Sequence, residues 1–245
     1  MEGASNGLCL EASGVAKRFG AVAALRDGGV RIVPGEITSV VGDNGAGKST
    51  LIKILSGVLT PDSGTLVVDG QERSFFGSAR EARDAGVVTV YQDLALVETL
   101  AVVENVFLGQ ELTRGPFRRK AAMRRATREL LDEMSVNVPD PGVRVARLSG
   151  GQRQGVAFAR ALNSRARYFL LDEPTAATGV RETREIVRLI TTLRARGAGV
   201  LMISHDFPLV AELSDSVYVL RHGAVATTFG KGADLDDIVL AMARG

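Results

Sequence analysis

One segment of the 245-residue chain restricts its fold more than any other: Gly42-Asp43-Asn44-Gly45-Ala46-Gly47-Lys48-Ser49-Thr50. It follows an aliphatic run at 36–41 and precedes Leu51, Ile52, Ile54 and Leu55, which suit a buried helix ending at Gly57. Glycine, four residues, then Gly-Lys-Ser, set between a strand and a helix, is the pattern of a phosphate loop. Glycines let successive backbone N–H groups turn inward around phosphates, and the following helix presents its positive end to them. On this pattern Lys48 reaches the β- and γ-phosphates and the Ser49 hydroxyl holds Mg²⁺. An ordinary glycine-rich turn would not demand Lys-Ser at this spacing.

The rest of the chain supplies a frame for that loop. Aliphatic runs at 8–12 and 22–33, broken by Gly20, Gly28, Gly29 and Pro34-Gly35, predict antiparallel strands at the start. Strands are further predicted at 65–69, 86–90, 168–172, 199–204 and 216–220, with a helix around 78–85. Ile186, Leu189, Ile190 and Leu193 form an i, i+3, i+4, i+7 stripe, as do Leu235, Ile238, Val239 and Met242. From about 100 to 162 the pattern is helical, with Met123, Leu130, Leu131 and Met134 on one face and Arg118, Arg125 and Arg128 elsewhere. The basic stretch there reads as a solvated helix face. Strands alternating with helices mean a mainly parallel sheet covered on both faces. The expectation is one domain over 1–245, with a catalytic core at 1–91 and 165–245 and an inserted helical lobe at 92–164.

Two further segments carry chemistry. Tyr168-Phe169-Leu170-Leu171-Asp172-Glu173 is an apolar strand that delivers two carboxylates at its C-terminal end, where α/β sheets place ligands. Asp172 is expected to support Mg²⁺ and Glu173 to polarise the water that attacks a γ-phosphate. Ser149-Gly150-Gly151-Gln152 opens a helix and offers a hydroxyl and free N–H groups to an anion, although a plain N-cap has the same features.

Composition removes several alternatives. The net charge of +2 gives no global field for nucleic acid, which is not expected as a partner. Cys9 is the single cysteine, so no internal disulfide is possible, and the first residues lack the regions of a signal peptide. Both point to a reducing cytoplasm. No apolar run approaches the ~20 residues that cross a bilayer as a helix, so any membrane role requires a partner.

Phosphate loop, Leu148-Ser149-Gly150-Gly151-Gln152 and the hydrophobic strand ending in Asp172-Glu173, in this order and spacing, resemble the ABC transporter ATPases over essentially the whole chain. The resemblance implies an α/β P-loop NTPase fold of ABC type: a mainly parallel sheet core, an antiparallel β subdomain and an inserted helical subdomain. It implies Mg-ATP hydrolysis with Lys48, Glu173, His205 and Gln92 as catalytic residues and Ser49, Gln92 and Asp172 around the metal. ATP would be held by Gly42 through Thr50, by Phe19 stacked on adenine, and by Ser149, Gly150, Gly151 and Gln152 of a second copy in a head-to-tail homodimer. Taken alone, Phe19 could equally be a core aromatic, Gln92 a surface residue and His205 structural.

The segments 42–57, 91–96 and 105–109 are similar to ATPases of monosaccharide importers. That narrower likeness implies transmembrane permease subunits, an extracytoplasmic sugar-binding protein and a peripheral place on the cytoplasmic face of the membrane. A soluble ABC ATPase of iron–sulfur cluster assembly is the alternative, since its size and motifs are the same. One stretch departs from the family pattern: Ala176-Ala177-Thr178-Gly179 stands where a loop ending in Leu-Asp is usual, so the aspartate that commonly links the two sites is missing.

Overall fold

The computed structural model describes residues 7–243 except 92, 177 and 178. Two long strands, β1 (Leu10–Phe19) and β2 (Val22–Ile32), pair antiparallel at the start. Then come β3 (Ile37–Val41), α1 (Lys48–Leu55), β4 (Ser63–Val68), β5 (Gln71–Arg73), α2 (Ala79–Asp84) and β6 (Val87–Val90). The middle of the chain holds α3 (Val102–Val106), a hairpin of β7 (Thr113–Arg114) and β8 (Phe117–Arg118), α4 (Lys120–Glu133) and α5 (Gly150–Asn163). The chain closes with β9 (Tyr168–Asp172), α6 (Val180–Ala195), β10 (Gly199–Ile203), α7 (Phe207–Leu213), β11 (Ser216–Arg221), β12 (Ala224–Gly230) and α8 (Leu235–Ala243). No helix among the described residues is long and apolar enough to cross a membrane.

The strands lie in the order β5-β4-β1-β2-β12-β11-β3-β10-β9-β6. β11, β3, β10, β9 and β6 run parallel, whereas β5, β4, β1 and β2 pair antiparallel and join the rest through β12. Successive side chains of a strand face opposite sides, and here the two sides feed two cores. Phe169, Leu171, Val200 and Met202 pack with α5 and α6, while Tyr168, Leu170, Leu201 and Ile203 pack with α1 and the antiparallel strands. Burial on both faces explains why β9 and β10 read as continuous apolar runs. The parallel strands also end together: β3 runs into Gly42, β9 into Glu173 and β10 into Ser204 and His205.

The helical pattern expected from about 100 to 162, with a loop at 136–147, needs correction at 113–118, where the chain forms the β7–β8 hairpin. Its turn holds Gly115, at φ 59°, and Pro116, neither of which continues a helix. β12 has no mark in the sequence, since its pattern of small and threonine residues, half exposed, carries little hydrophobic periodicity.

Gly155 lies inside α5 and looks from sequence like a plain helix defect, costing ~1 kcal/mol against alanine. It is in fact buried, and a Cβ there would come within 2.4 Å of Val136 Cγ1 and 2.6 Å of Cγ2. The glycine lets the segment after α4 lie directly on α5. Gly155→Ala should therefore destabilise the fold by about 1–3 kcal/mol, the usual range for overpacking. Urea denaturation measures this, and Val136→Ala in the same chain should recover most of the loss; a stabilised single variant would contradict the packing argument.

Candidate active site

The phosphate loop bridges β3 and α1, and its shape depends on glycine at two places. Gly42 has φ 153° and a Cβ there would fall 2.1 Å from the Leu220 carbonyl oxygen. Gly47 has φ 105°, and its Cβ would fall 2.6 Å from the Ala24 oxygen and 2.7 Å from a Leu25 methyl. The loop is thus pressed against the end of β11 and against β2, with no room for a side chain. Gly47 also stands as N-cap of α1 without any side-chain cap, and no acidic residue occupies the first turn. The leading N–H groups of that helix are left for an anion.

Lys48 is buried, and its Nζ donates to the carbonyl oxygens of Gly42 at 2.6 Å and Asp43 at 3.0 Å. Those bonds hold the ammonium inside the loop. Burial pulls its pKa down, against the opposing charges of Glu173, Asp43 and Asp172.

A cleft of about 640 Å³ opens over the loop, lined by Asn44, Gly45, Gly47, Lys48, Ser49 and Thr50 together with Phe19, Glu173 and His205. Ser49 is exposed within it. Phe19, at the end of β1, is half exposed, with the Lys17 ammonium 5.9 Å from its ring centroid. It is a cleft wall and not a core aromatic. Val22, Ala23, Ala24 and Ala176 complete the lining and escaped the sequence reading. Nothing local marks Val22, Ala23 and Ala24, because β2 reaches the loop only through tertiary packing, while Ala176 follows Glu173 in the same turn.

The two carboxylates sit at the end of β9. His205 Nε2 lies 3.0 Å from Glu173 Oε1, so the imidazole N–H can donate to the carboxylate. Glu173 has φ 51°, an uncommon left-handed backbone for a side chain of this size. Its N–H donates to the Ile203 oxygen at 3.0 Å and its carbonyl accepts from the Ala176 N–H at 3.1 Å. Strain of this kind persists where neighbours over-determine it, and it clusters at functional sites. Burial raises the pKa of Glu173, with the His205 and Lys48 charges opposing, and burial raises that of Asp172 against Lys53 and Lys48.

That burial has a consequence for stability. A carboxyl whose folded pKa lies above its unfolded value binds its proton more tightly in the native state. It stabilises the fold below the unfolded pKa, and the contribution is lost as pH rises through the raised folded value. Asp172→Asn should therefore make the nucleotide-free protein melt at a higher temperature at neutral pH, with the difference vanishing as pH falls into the ordinary carboxylate range. Scanning calorimetry across pH tests this; a neutral-pH Tm below the parent's would refute it.

Ser149–Gln152 stand elsewhere. Ser149 is the N-cap of α5: its Oγ accepts from the Gln152 N–H at 3.3 Å, and Gln152 Oε1 accepts from the Ser149 N–H at 3.0 Å, a reciprocal capping box. Gln152 Nε2 also donates to the Asn137 oxygen at 2.6 Å. With Gly151 they line a second cleft, shared with Glu185 and Arg188, and none of the three lines the first. Gly150 is exposed beside them. Gln92, predicted to touch the metal, lies outside the described residues.

The chain matches the family model described as ABC transporter over residues 25–176. The chain belongs to the ABC transporter family. It is an ATPase of that family. It is 45% identical over 216 residues to the "Xylose/arabinose import ATP-binding protein XylG" of Sulfolobus acidocaldarius, covering 88% of this chain and 86% of that one. It is 44% identical over 233 residues to the "Ribose import ATP-binding protein RbsA 1" of Rubrobacter xylanophilus, but spans only 46% of that longer protein. Among solved structures, an ATP-binding cassette in a dimeric post-hydrolysis state with ADP and Pi matches with a TM-score of 0.77 at 26% identity, over 92% of this ABC ATPase and 99% of that chain.

The residues suit the nucleotide that this family binds. Gly42 and Gly47 leave no space for a side chain in the loop, the open start of α1 faces the cleft, and the buried Lys48 supplies positive charge. Mg²⁺ is ordinarily held by one or two protein oxygens plus phosphates and water, a role that the exposed Ser49 hydroxyl and the Asp172 carboxylate can fill.

Proposed function

We propose that this ATPase powers uptake of a monosaccharide through a membrane permease, as a head-to-tail homodimer with two shared ATP sites. The observation that carries the reading is the separation of the two helix N-termini suited to phosphate. The start of α1 lies in the cleft with Lys48, Glu173 and His205, while Ser149, Gly151 and Gln152 at the start of α5 line a separate cleft. A second copy turned about a two-fold axis supplies the missing half. The dimeric state of the ADP-bound cassette described above supports the same arrangement.

In this reading the loop from Gly42 to Thr50 holds the phosphates of ATP, Lys48 neutralises the β- and γ-phosphates, and Phe19 stacks on adenine. Ser49, Asp172 and Gln92 hold Mg²⁺, which supplies charge neutralisation for the transferring phosphoryl group. Glu173 accepts the proton of the attacking water, and His205, bonded to Glu173, also reaches toward the γ-phosphate. Burial, which raises the pKa of Glu173, makes it a stronger base than an exposed carboxylate.

The sugar cargo is supported by the names of the xylose/arabinose and ribose relatives. Those names favour import over iron–sulfur cluster assembly. The lobe at 92–164 is proposed to dock the permease, with Gln92 at its hinge, placing the ATPase at the cytoplasmic face of the membrane and an extracytoplasmic sugar-binding protein beyond. Affinity isolation of the tagged chain from its own cells should recover a polytopic permease, and vesicles of that complex should take up labelled pentose or hexose only with ATP. Recovery with soluble cluster-assembly proteins and no permease would overturn the transport reading.

A further inference from the structure

We infer that Gln154 is a positioning residue for Glu173, fastening the loop that carries the carboxylate to the helix that begins at Ser149. The inference rests on the functional reading above. Gln154 lies on α5, five residues after Ser149, and is buried. Its Nε2 donates to the carbonyl oxygen of Pro174 at 2.7 Å, and Pro174 is buried as well. Proline has no N–H, so that carbonyl is the hydrogen-bonding group by which the backbone at 174 can be held.

The need for such a hold comes from the residue before it. Glu173 sits in a left-handed backbone conformation, and small changes in the peptide that follows it would redirect its side chain. The Glu173 N–H is tied to β10 through Ile203 and its carbonyl to Ala176 within the same turn. Gln154 supplies the tie from outside the sheet and the turn. α5 is a firm anchor, since Gly155 packs it directly on Val136 and Val156 to Ala159 are all buried. A buried amide is costly unless it is paired, so glutamine at 154 serves the bond better than it serves packing. The helix whose first turn faces the partner's nucleotide in the dimer thereby also holds its own chain's carboxylate. That route runs within one subunit and makes no use of the missing Leu-Asp.

The test compares Gln154→Leu, Gln154→Glu and Glu173→Gln. Gln154→Leu removes the donor and should lower kcat about 10- to 100-fold, the scale of a reacting group misplaced by about an ångström, with ATP affinity of the dilute protein within about twofold of the parent's. Gln154→Glu is nearly isosteric. Its carboxylate repels the Pro174 oxygen, but its protonated form donates to it, and burial favours protonation. Activity of this variant relative to the parent at the same pH should therefore rise as pH falls from about 8 to about 6, a recovery that a merely structural role would not give. If Gln154→Leu fails to fold, this profile alone decides. A flat ratio, or parental kcat in both Gln154 variants while Glu173→Gln is slow, would overturn the positioning role alone. Parental hydrolysis by Glu173→Gln would instead remove the assignment of Glu173 on which the inference rests.

Discussion

Glu173→Gln should retain Mg-ATP binding and hydrolyse it about 10²–10⁴ times more slowly than the parent, the usual share of a general base. The amide keeps the size of the side chain and can still meet His205, but it cannot take a proton from water. Replacing a half-buried carboxylate with a neutral amide should not weaken triphosphate binding, because Lys48 and the loop are untouched. The expected result is therefore a split: unchanged dissociation constant for ATP, collapsed single-turnover rate. Parental rate with parental affinity would show that Glu173 is not the base. Loss of affinity in step with rate would place the residue among the ligands of the nucleotide.

How far these assignments were legible in the sequence depends on whether their signal was local. The phosphate loop is set by consecutive residues, whereas the contacts that require Gly42 and Gly47 come from Leu220 on β11 and from Ala24 and Leu25 on β2. The paired acids at the end of β9 are equally local: a strand buried on both faces must be apolar, so two carboxylates in a row mark its exit at the ligand-bearing edge. Ser149 was ambiguous for a physical reason, since a capping box uses the same hydroxyl and N–H groups as an anion site, and the structure does contain the capping box. Family order, not geometry, singled it out. Gly155 reads as a plain helix defect because its packing partner, Val136, lies on another segment. The hairpin at 113–118 was missed because four strand residues carry no period that could compete with the helical pattern around them. Gln154 had no mark at all beside the better-known glutamine two positions earlier; only the bond to Pro174 singles it out.

The second large effect concerns the shared site. Ser149→Arg places a long cation on an exposed N-cap that does not line its own chain's ATP cleft. It should abolish steady-state hydrolysis by blocking closure on the partner, whereas Lys48→Ala should damage binding itself by removing the buried charge from the phosphate cradle. For the parent, specific activity should climb with protein concentration and then level off, since the competent site forms only when two chains meet. Activity independent of concentration down to the dilute monomer would mean that one chain hydrolyses ATP alone.

The most direct measurement is the ATP affinity of dilute Ser149→Arg protein, verified as monomer by sedimentation and read with a fluorescent nucleotide beside Lys48→Ala. Two half-sites predict that Ser149→Arg binds ATP like the parent monomer while Lys48→Ala binds it far more weakly. A loss in Ser149→Arg as large as that in Lys48→Ala would place Ser149 in its own chain's site and contradict the shared-site account.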